Sequence, residues 1–206
     1  MAECQIPAGQ VKDLRTKTGA GMMDCKRALE DTGGDIDKAV RLLREQGLAS
    51  AKKRQEKTAD QGIIESYIHL GRQIGALVEL NCETDFVARN DEFLELAHLI
   101  ALQIAAVKPT YLDRDSVPAE VVVSERAIYR ARCEGEGKPE KVWDRIVDGM
   151  LEKYYQDVCL LEQPFVKDPS VSVGELVTQT AAKLGEKVVV RMFTRFQVGE
   201  QVAEEG

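Results

Sequence analysis

The chemistry this chain could offer a partner is concentrated in one stretch, Leu77-Val78-Glu79-Leu80-Asn81-Cys82-Glu83-Thr84-Asp85-Phe86-Val87-Ala88-Arg89-Asn90. Thr84 is a fair helix N-cap, and Asp85 suits a first helical turn, where a negative charge meets unpaired N–H groups. Phe86 follows two places after the cap. The triplet therefore predicts a short helical turn that carries an acid beside a large aromatic ring. Two readings of the ring are open. It can stand at the tip of an element, where a partner is met, or fold back as a lid on the core while Asp85 only supports the helix start. On physics alone the lid takes precedence, because most Phe side chains are core.

The element that must position the triplet is a strand. From Ile74 the pattern alternates, with Ile74, Ala76, Val78, Leu80 and Cys82 on one face and Gly75, Glu79, Asn81 and Glu83 on the other. That is the period of a half-buried strand. Before it, residues 62–70 alternate through Ile64, Ile68 and Leu70. Gly71-Arg72 turns the chain, so the two runs predict an antiparallel hairpin. Residues 187–199 alternate again, with Val188, Val190, Met192, Phe196 and Val198 on one face, and predict a third strand beside the hairpin.

Other reactive groupings fail on their chemistry. Cys82 is most simply a core strand residue, and a cysteine nucleophile needs a basic partner that is not identifiable here. The Gly135–Lys138 segment superficially resembles a phosphate loop, but Arg132 stands for the first glycine and Pro139 for the Ser or Thr. There is no Gly-x-Ser-x-Gly elbow. His69 and His98 have no partner at metal-ligand spacing, so no metal or other cofactor is expected. The chain reads as one that binds and not as an enzyme.

Bulk properties narrow the class further. A chain of 206 residues holds one sizeable core, or a small module plus a larger domain. No run approaches the ~18 apolar residues of a membrane span, and the start Met-Ala-Glu-Cys-Gln-Ile-Pro lacks the features of a secretion signal. Its five cysteines form no Cys-x-x-Cys pair, which with the missing signal argues for free thiols and a cytoplasmic protein. The net charge of −7 is uneven: through Lys57 there are twelve Lys and Arg against nine Asp and Glu, and all of the acidic excess lies beyond. An acidic main body disfavours nucleic acid as the direct partner.

The rest of the chain reads mainly as helices. Three short ones are expected up to about residue 46. The first, over about 7–17, has Val11 and Leu14 inward. The second, over about 22–31, has Cys25, Ala28 and Leu29 inward. The third, opened near Asp35, has Ile36, Ala39, Val40 and Leu43 inward. The glycines of Thr18-Gly19-Ala20-Gly21 allow a tight, left-handed corner. Met22 and Met23 cannot both face this small bundle, since neighbours on a helix lie about 100° apart. Without other information one is buried and the other incidental. A basic connector helix follows over 48–60, with Lys52, Lys53 and Arg54 but no aromatic on which a base could stack. Further helices are expected from Asp91 to about 107 (Phe93, Ala97, Ile100 and Ile104 inward), over about 120–133 and 139–157 as a hairpin, and over 173–184. Gln163-Pro164-Phe165 is read as extended, kept from a sheet centre by its proline. The tail over 201–206 is expected to fray. The fold class is α+β: a three-helix bundle (1–47), a linker helix (48–60) and a core over 61–200 with a three-stranded antiparallel sheet packed with helices.

Two blocks carry a family resemblance. Asn81-Cys82-Glu83-Thr84-Asp85-Phe86-Val87-Ala88-Arg89-Asn90 resembles a signature of the elongation factor Ts family, the guanine-nucleotide exchange factors of elongation factor Tu. Leu14-Arg15, with Thr18-Gly19-Ala20-Gly21-Met22-Met23-Asp24-Cys25-Lys26-Arg27-Ala28-Leu29, is similar to the family's amino-terminal signature. The resemblance implies that the amino-terminal bundle is of the ubiquitin-associated type. It implies that Arg15, Met22 and Met23 dock on elongation factor Tu, and that Thr84, Asp85, Phe86 and Val87 disturb its Mg2+ and phosphate site. It turns Phe86 from lid to tool. Longer members carry a second core copy, for which this chain has no room, so a homodimer is expected to cover the short sheet. The other class of function is a plain adaptor, in which the bundle recruits some protein and the Thr84 turn is core.

Overall fold

The computed structural model describes residues 6–18, 20–53 and 57–200, the last six positions of the second segment by their backbone alone. Cys4, Gly19, Arg54 and the 201–206 tail lie outside the described residues. In chain order the elements are α1 (Ala8–Thr18), α2 (Met22–Asp31), α3 (Ile36–Lys53), β1 (Gln61–Ile68), β2 (Ile74–Cys82), α4 (Asp85–Ala88), α5 (Asp91–Val107), α6 (Ala119–Gly135), α7 (Trp143–Val158), β3 (Pro164–Phe165), β4 (Asp168–Ser172), α8 (Val173–Leu184) and β5 (Val188–Gln197). They combine as an α+β fold. A three-stranded antiparallel sheet of order β1-β2-β5 packs with helices, and β3-β4 form a separate small ribbon. The chain divides into two compact units: Met1–Ile63, Leu80–Leu96 and Val177–Val189 form one, and Ile64–Glu79, Ala97–Leu176 and Val190–Gly206 the other.

In the first unit, α1, α2 and α3 pack pairwise. Their shared core is Val11, Leu14, Cys25, Ala28, Leu29, Ala39 and Leu43, with Ile36 and Val40 half-buried against it. These are the residues that a 3.6-residue period puts on one face. Asp35 opens α3: its Oδ1 accepts the Lys38 N–H at 3.0 Å, and these bonds hold its carboxyl below the usual range. Of the two glycines at the first corner, Gly19 lies outside the described residues. Gly21 has an ordinary φ of −58°, whereas Gly33 and Gly34, after α2, are at φ 62° and 85°.

The connector helix is not a separate element. α3 runs unbroken through Gly47 to Lys53, and 57–60 are non-helical. A Cβ at Gly47 would lie 3.2 Å from the Ala182 Cβ of α8. Gly47 therefore marks a close helix–helix approach, at the boundary expected between bundle and linker.

In the second unit, α6 and α7 form the expected hairpin around Cys133, Val147 and Leu151. Arg114 ties the loop before α6 to α7 and to the segment after it, donating to Glu152 and Glu162 and lying 4.8 Å above the Tyr155 ring. Gln103 and Gln163 are buried yet satisfied. Gln103 Nε2 donates to Gln163 Oε1 and to the Pro164 carbonyl, Gln103 Oε1 accepts the Val166 N–H, and Gln163 Nε2 donates to the Asp157 carbonyl. Gln163-Pro164-Phe165 thus sits in its own ribbon and does not join the three-stranded sheet.

Two strand faces differ from expectation. In β1 the alternating residues Ile64 and Ile68 point outward, and Leu70 beyond them is exposed too, while Ile63, Glu65 and Tyr67 are half-buried. In β5 Val188 and Val190 are buried, but Met192, Phe196 and Val198 are exposed. Phe193 and Arg195 take the inward positions there, and Arg195 Nε donates to the Ala105 carbonyl of α5. The inward parity changes partway along the strand, so a single alternating face does not run its whole length.

Candidate functional site

The candidate site begins where β2 stops alternating. Ala76, Val78, Leu80 and Cys82 are buried, as their period requires. At Thr84 the backbone is still extended (φ −129°, ψ 156°), and its side-chain oxygen accepts the Val87 N–H at 3.4 Å. This is an N-cap, and α4 is the single turn it opens. Asn90 then closes the turn and starts α5, its Oδ1 accepting the Glu92 N–H at 2.8 Å.

The turn decides which of its side chains meets solvent. Ala88 is its buried residue. Phe86, two positions earlier, lies about 200° around the helix from it and is 83 % exposed. The lid reading, preferred on physics alone, is overturned; the buried ring of this stretch is Phe93, at the start of α5. Asp85 is exposed and pairs with Arg89 Nη2 at 3.2 Å, and Val87 is half-buried. The four predicted residues Thr84, Asp85, Phe86 and Val87 thus come together as an apolar ring flanked by an acid, on a turn that faces outward.

The turn is held by a group that sequence reasoning missed. Glu186, just before β5, places Oε2 to accept the N–H groups of Glu83 at 3.2 Å and Thr84 at 3.1 Å. Its Oε1 accepts the Thr84 hydroxyl at 2.7 Å. Glu83 reciprocates: its Oε1 accepts the Lys187 N–H at 2.7 Å, and its Oε2 pairs with Lys57 Nζ at 2.6 Å. Lys187 Nζ in turn donates to the Lys57 carbonyl at 2.7 Å. Two carboxylates thus clasp the end of β2 to the start of β5, with the Lys57 ammonium paired to one of them. Nothing local could have revealed this, since Glu186 lies 102 positions from Thr84.

Cys82 is no nucleophile in this setting. It is fully buried, its thiol donates to the Thr84 carbonyl at 3.1 Å, and burial together with the Glu186 charge pushes its pKa up. Among the described residues no group of three or more His, Cys, Asp or Glu is placed to hold a metal ion. No helix among them is long and apolar enough to cross a membrane.

The second predicted group lies on α1 and the first turn of α2. Arg15 is exposed. Met22 and Met23 are 47 % and 64 % exposed, so neither is buried in the bundle, against the expectation of one inside and one out. α2 fills its inward face with Cys25, Ala28 and Leu29, which leaves both thioethers at the open end of the helix.

Comparison with known proteins agrees with the two signatures. Residues 30–200 match the model of the family described as Elongation factor TS. A protein named elongation factor Ts from Carboxydothermus hydrogenoformans is 53 % identical over 97 % of this chain and 92 % of its own length. Similarly named relatives from Desulfitobacterium hafniense and Moorella thermoacetica are 54 % and 53 % identical, over 96 % and 97 % of the chain and 91 % and 98 % of their own lengths. With matches of this identity along nearly its whole length, the chain belongs to the elongation factor Ts family.

Proposed function

We propose that the chain is a guanine-nucleotide exchange factor that binds elongation factor Tu in its GDP-bound and nucleotide-free states. It promotes GDP release, so that GTP can reload during translation elongation in the cytoplasm. It acts by binding and catalyses no bond chemistry. The observation that carries the reading is the outward-facing Phe86 on a turn whose backbone is pinned. A large ring held in water has no stabilising role in the monomer, but suits insertion between elements of a partner. Phe86 is the apolar wedge near the partner's Mg2+ and phosphate site. Asp85 supplies a charge and an acceptor that rearrange contacts there, and Thr84 and Val87 shape the turn. By linkage, the factor weakens GDP binding as much as GDP weakens binding of the factor.

The bundle, of ubiquitin-associated type, is the docking surface through Arg15, Met22 and Met23, whose exposed thioethers adapt to a partner helix. The working form is a homodimer. Ile64, Ile68, Leu70, Leu77, Met192, Phe196 and Val198 are all exposed, and a groove of about 330 Å³ runs among Ile68, Leu77, Phe196 and Val198. Such a face is normally covered, and the Gln163-Pro164-Phe165 segment pairs elsewhere.

Release of fluorescent GDP from GDP-loaded elongation factor Tu tests the function. Added protein should speed release in proportion to its concentration, until the partner is saturated. An unchanged release rate would refute the exchange reading and leave the adaptor. In the same assay, joint replacement of Arg15, Met22 and Met23 by Ala should raise the half-saturating concentration. Substitution is the cleaner route, because cutting off residues 1–50 would also remove the Gly47 contact with α8.

A further inference from the structure

We infer that Glu186 is a positioning residue for nucleotide exchange: its carboxylate locks the Thr84 turn in the orientation that presents Phe86. The inference rests on the exchange reading above and adds a residue outside both family signatures. Its basis is geometric. One carboxylate accepts three hydrogen bonds, all from the two residues that precede α4: the Glu83 N–H, the Thr84 N–H and the Thr84 hydroxyl. The Thr84 oxygen that donates to Glu186 is also the oxygen that accepts the Val87 N–H. The N-cap and the clasp are therefore one connected network, and charge-assisted bonds of this kind are the stronger class.

The cap by itself is a single bond of 3.4 Å on a helix of four residues. A turn so short has little stability of its own. Without Glu186 it would sample other orientations, and a ring that must be ordered anew in each complex loses part of its binding energy to that ordering. The Lys57 ammonium and the Lys187 backbone N–H complete the frame by holding Glu83.

Three measurements test this. In the unaltered protein, the Glu83 and Thr84 amides should be protected from hydrogen exchange well beyond solvent-exposed loop amides. Exchange at loop rates would overturn the proposal without any variant. Glu186→Gln keeps the shape but replaces one acceptor oxygen by an NH2 group. It should lower the maximal rate of GDP release about tenfold, with the half-saturating concentration changed less than twofold. An equal loss in both quantities, or none in the rate, would overturn it. Finally, Glu186→Gln added to Phe86→Ala should cost nothing beyond Phe86→Ala alone, because Glu186 acts through that ring. Full additivity would refute the positioning role. The Phe86→Ala arm separates the two ideas. If it leaves exchange intact, the exchange reading of the turn fails. If it abolishes exchange while Glu186→Gln does not, only the positioning role fails.

Discussion

The Thr84–Ala88 turn and the helix that follows it each carry one phenylalanine, seven positions apart, and treat it in opposite ways. Phe86 is 83 % exposed and Phe93 is 0 % exposed. Both are the same residue type, and both stand within a turn of a helix start. The difference lies in what each helix can bury. α5 is 17 residues long and presents a continuous inward stripe through Phe93, Ala97, Ile100 and Ile104. α4 has four residues and room for one inward side chain, Ala88. Its ring must therefore face water, and hydrogen bonds to the backbone, not packing of the ring, hold the turn. A ring that packs and a ring left to solvent are separated here within a single connection.

The largest way to test that separation is to truncate both rings. Phe93→Ala should cost about 3–5 kcal/mol of stability, read as a clear fall in denaturation midpoint. Phe86→Ala should change stability by less than about 0.5 kcal/mol and slow GDP release at least tenfold. A large drop in midpoint for Phe86→Ala would show that its ring is structural after all.

Next in size is Gly62→Ala. A new Cβ there would collide with the Leu80 carbonyl and come within 2.8 Å of Asn81 Cα. β1 must then move away from the end of β2 that carries the turn. We expect a loss of about 1–3 kcal/mol together with slower exchange, because both properties share this strand. Unchanged stability would mean that the strands are looser than their geometry shows.

A smaller stability effect is expected on the exposed sheet face. Phe196→Asp places a charge among Ile68, Leu77 and Val198. It should halve the mass seen by light scattering at micromolar concentration and leave the monomer's midpoint within about 0.5 kcal/mol. A monomeric mass for the unaltered protein would remove the dimer.

The smallest effect concerns the buried thiols. Burial pushes the Cys159 thiol from 9.0 up to about 11, and Cys82 moves in the same direction. The folded state favours the neutral thiol. The stability this confers is complete below pH 9 and is lost as pH rises toward 11. Alkylation of both thiols should accordingly be slow at pH 8 until the protein unfolds. Fast labelling of native Cys82 would contradict its burial.

Most helices were legible because their information is local. The stripe of α5, the three short helices with their inward residues and the Ser172 start of α8 all follow from periodicity and capping. There Ser172 Oγ accepts the Glu175 N–H at 3.1 Å and the Glu175 carboxylate accepts the Ser172 N–H at 2.9 Å, a reciprocal pair within four residues. The β2 face and the Thr84 cap were equally readable, since alternation and its end are patterns of neighbours. These regularities determined by themselves the α+β class and the place of the turn.

What only the tertiary structure decided depends on residues far apart in the chain. The boundary expected between 47 and 48 is bridged by α3, and a Cβ at Gly47 would lie 3.2 Å from the Ala182 Cβ. The alternation of β5 could not say which parity faces inward, because that depends on what covers each end of the strand. Phe86 could not be told from a core ring by its type, since burial depends on the space other segments leave. The clasp by Glu186 was out of reach for the same reason. A carboxylate is an ordinary solvated charge until folding brings two backbone N–H groups and a hydroxyl from 102 and 103 positions away within 3.2 Å of it.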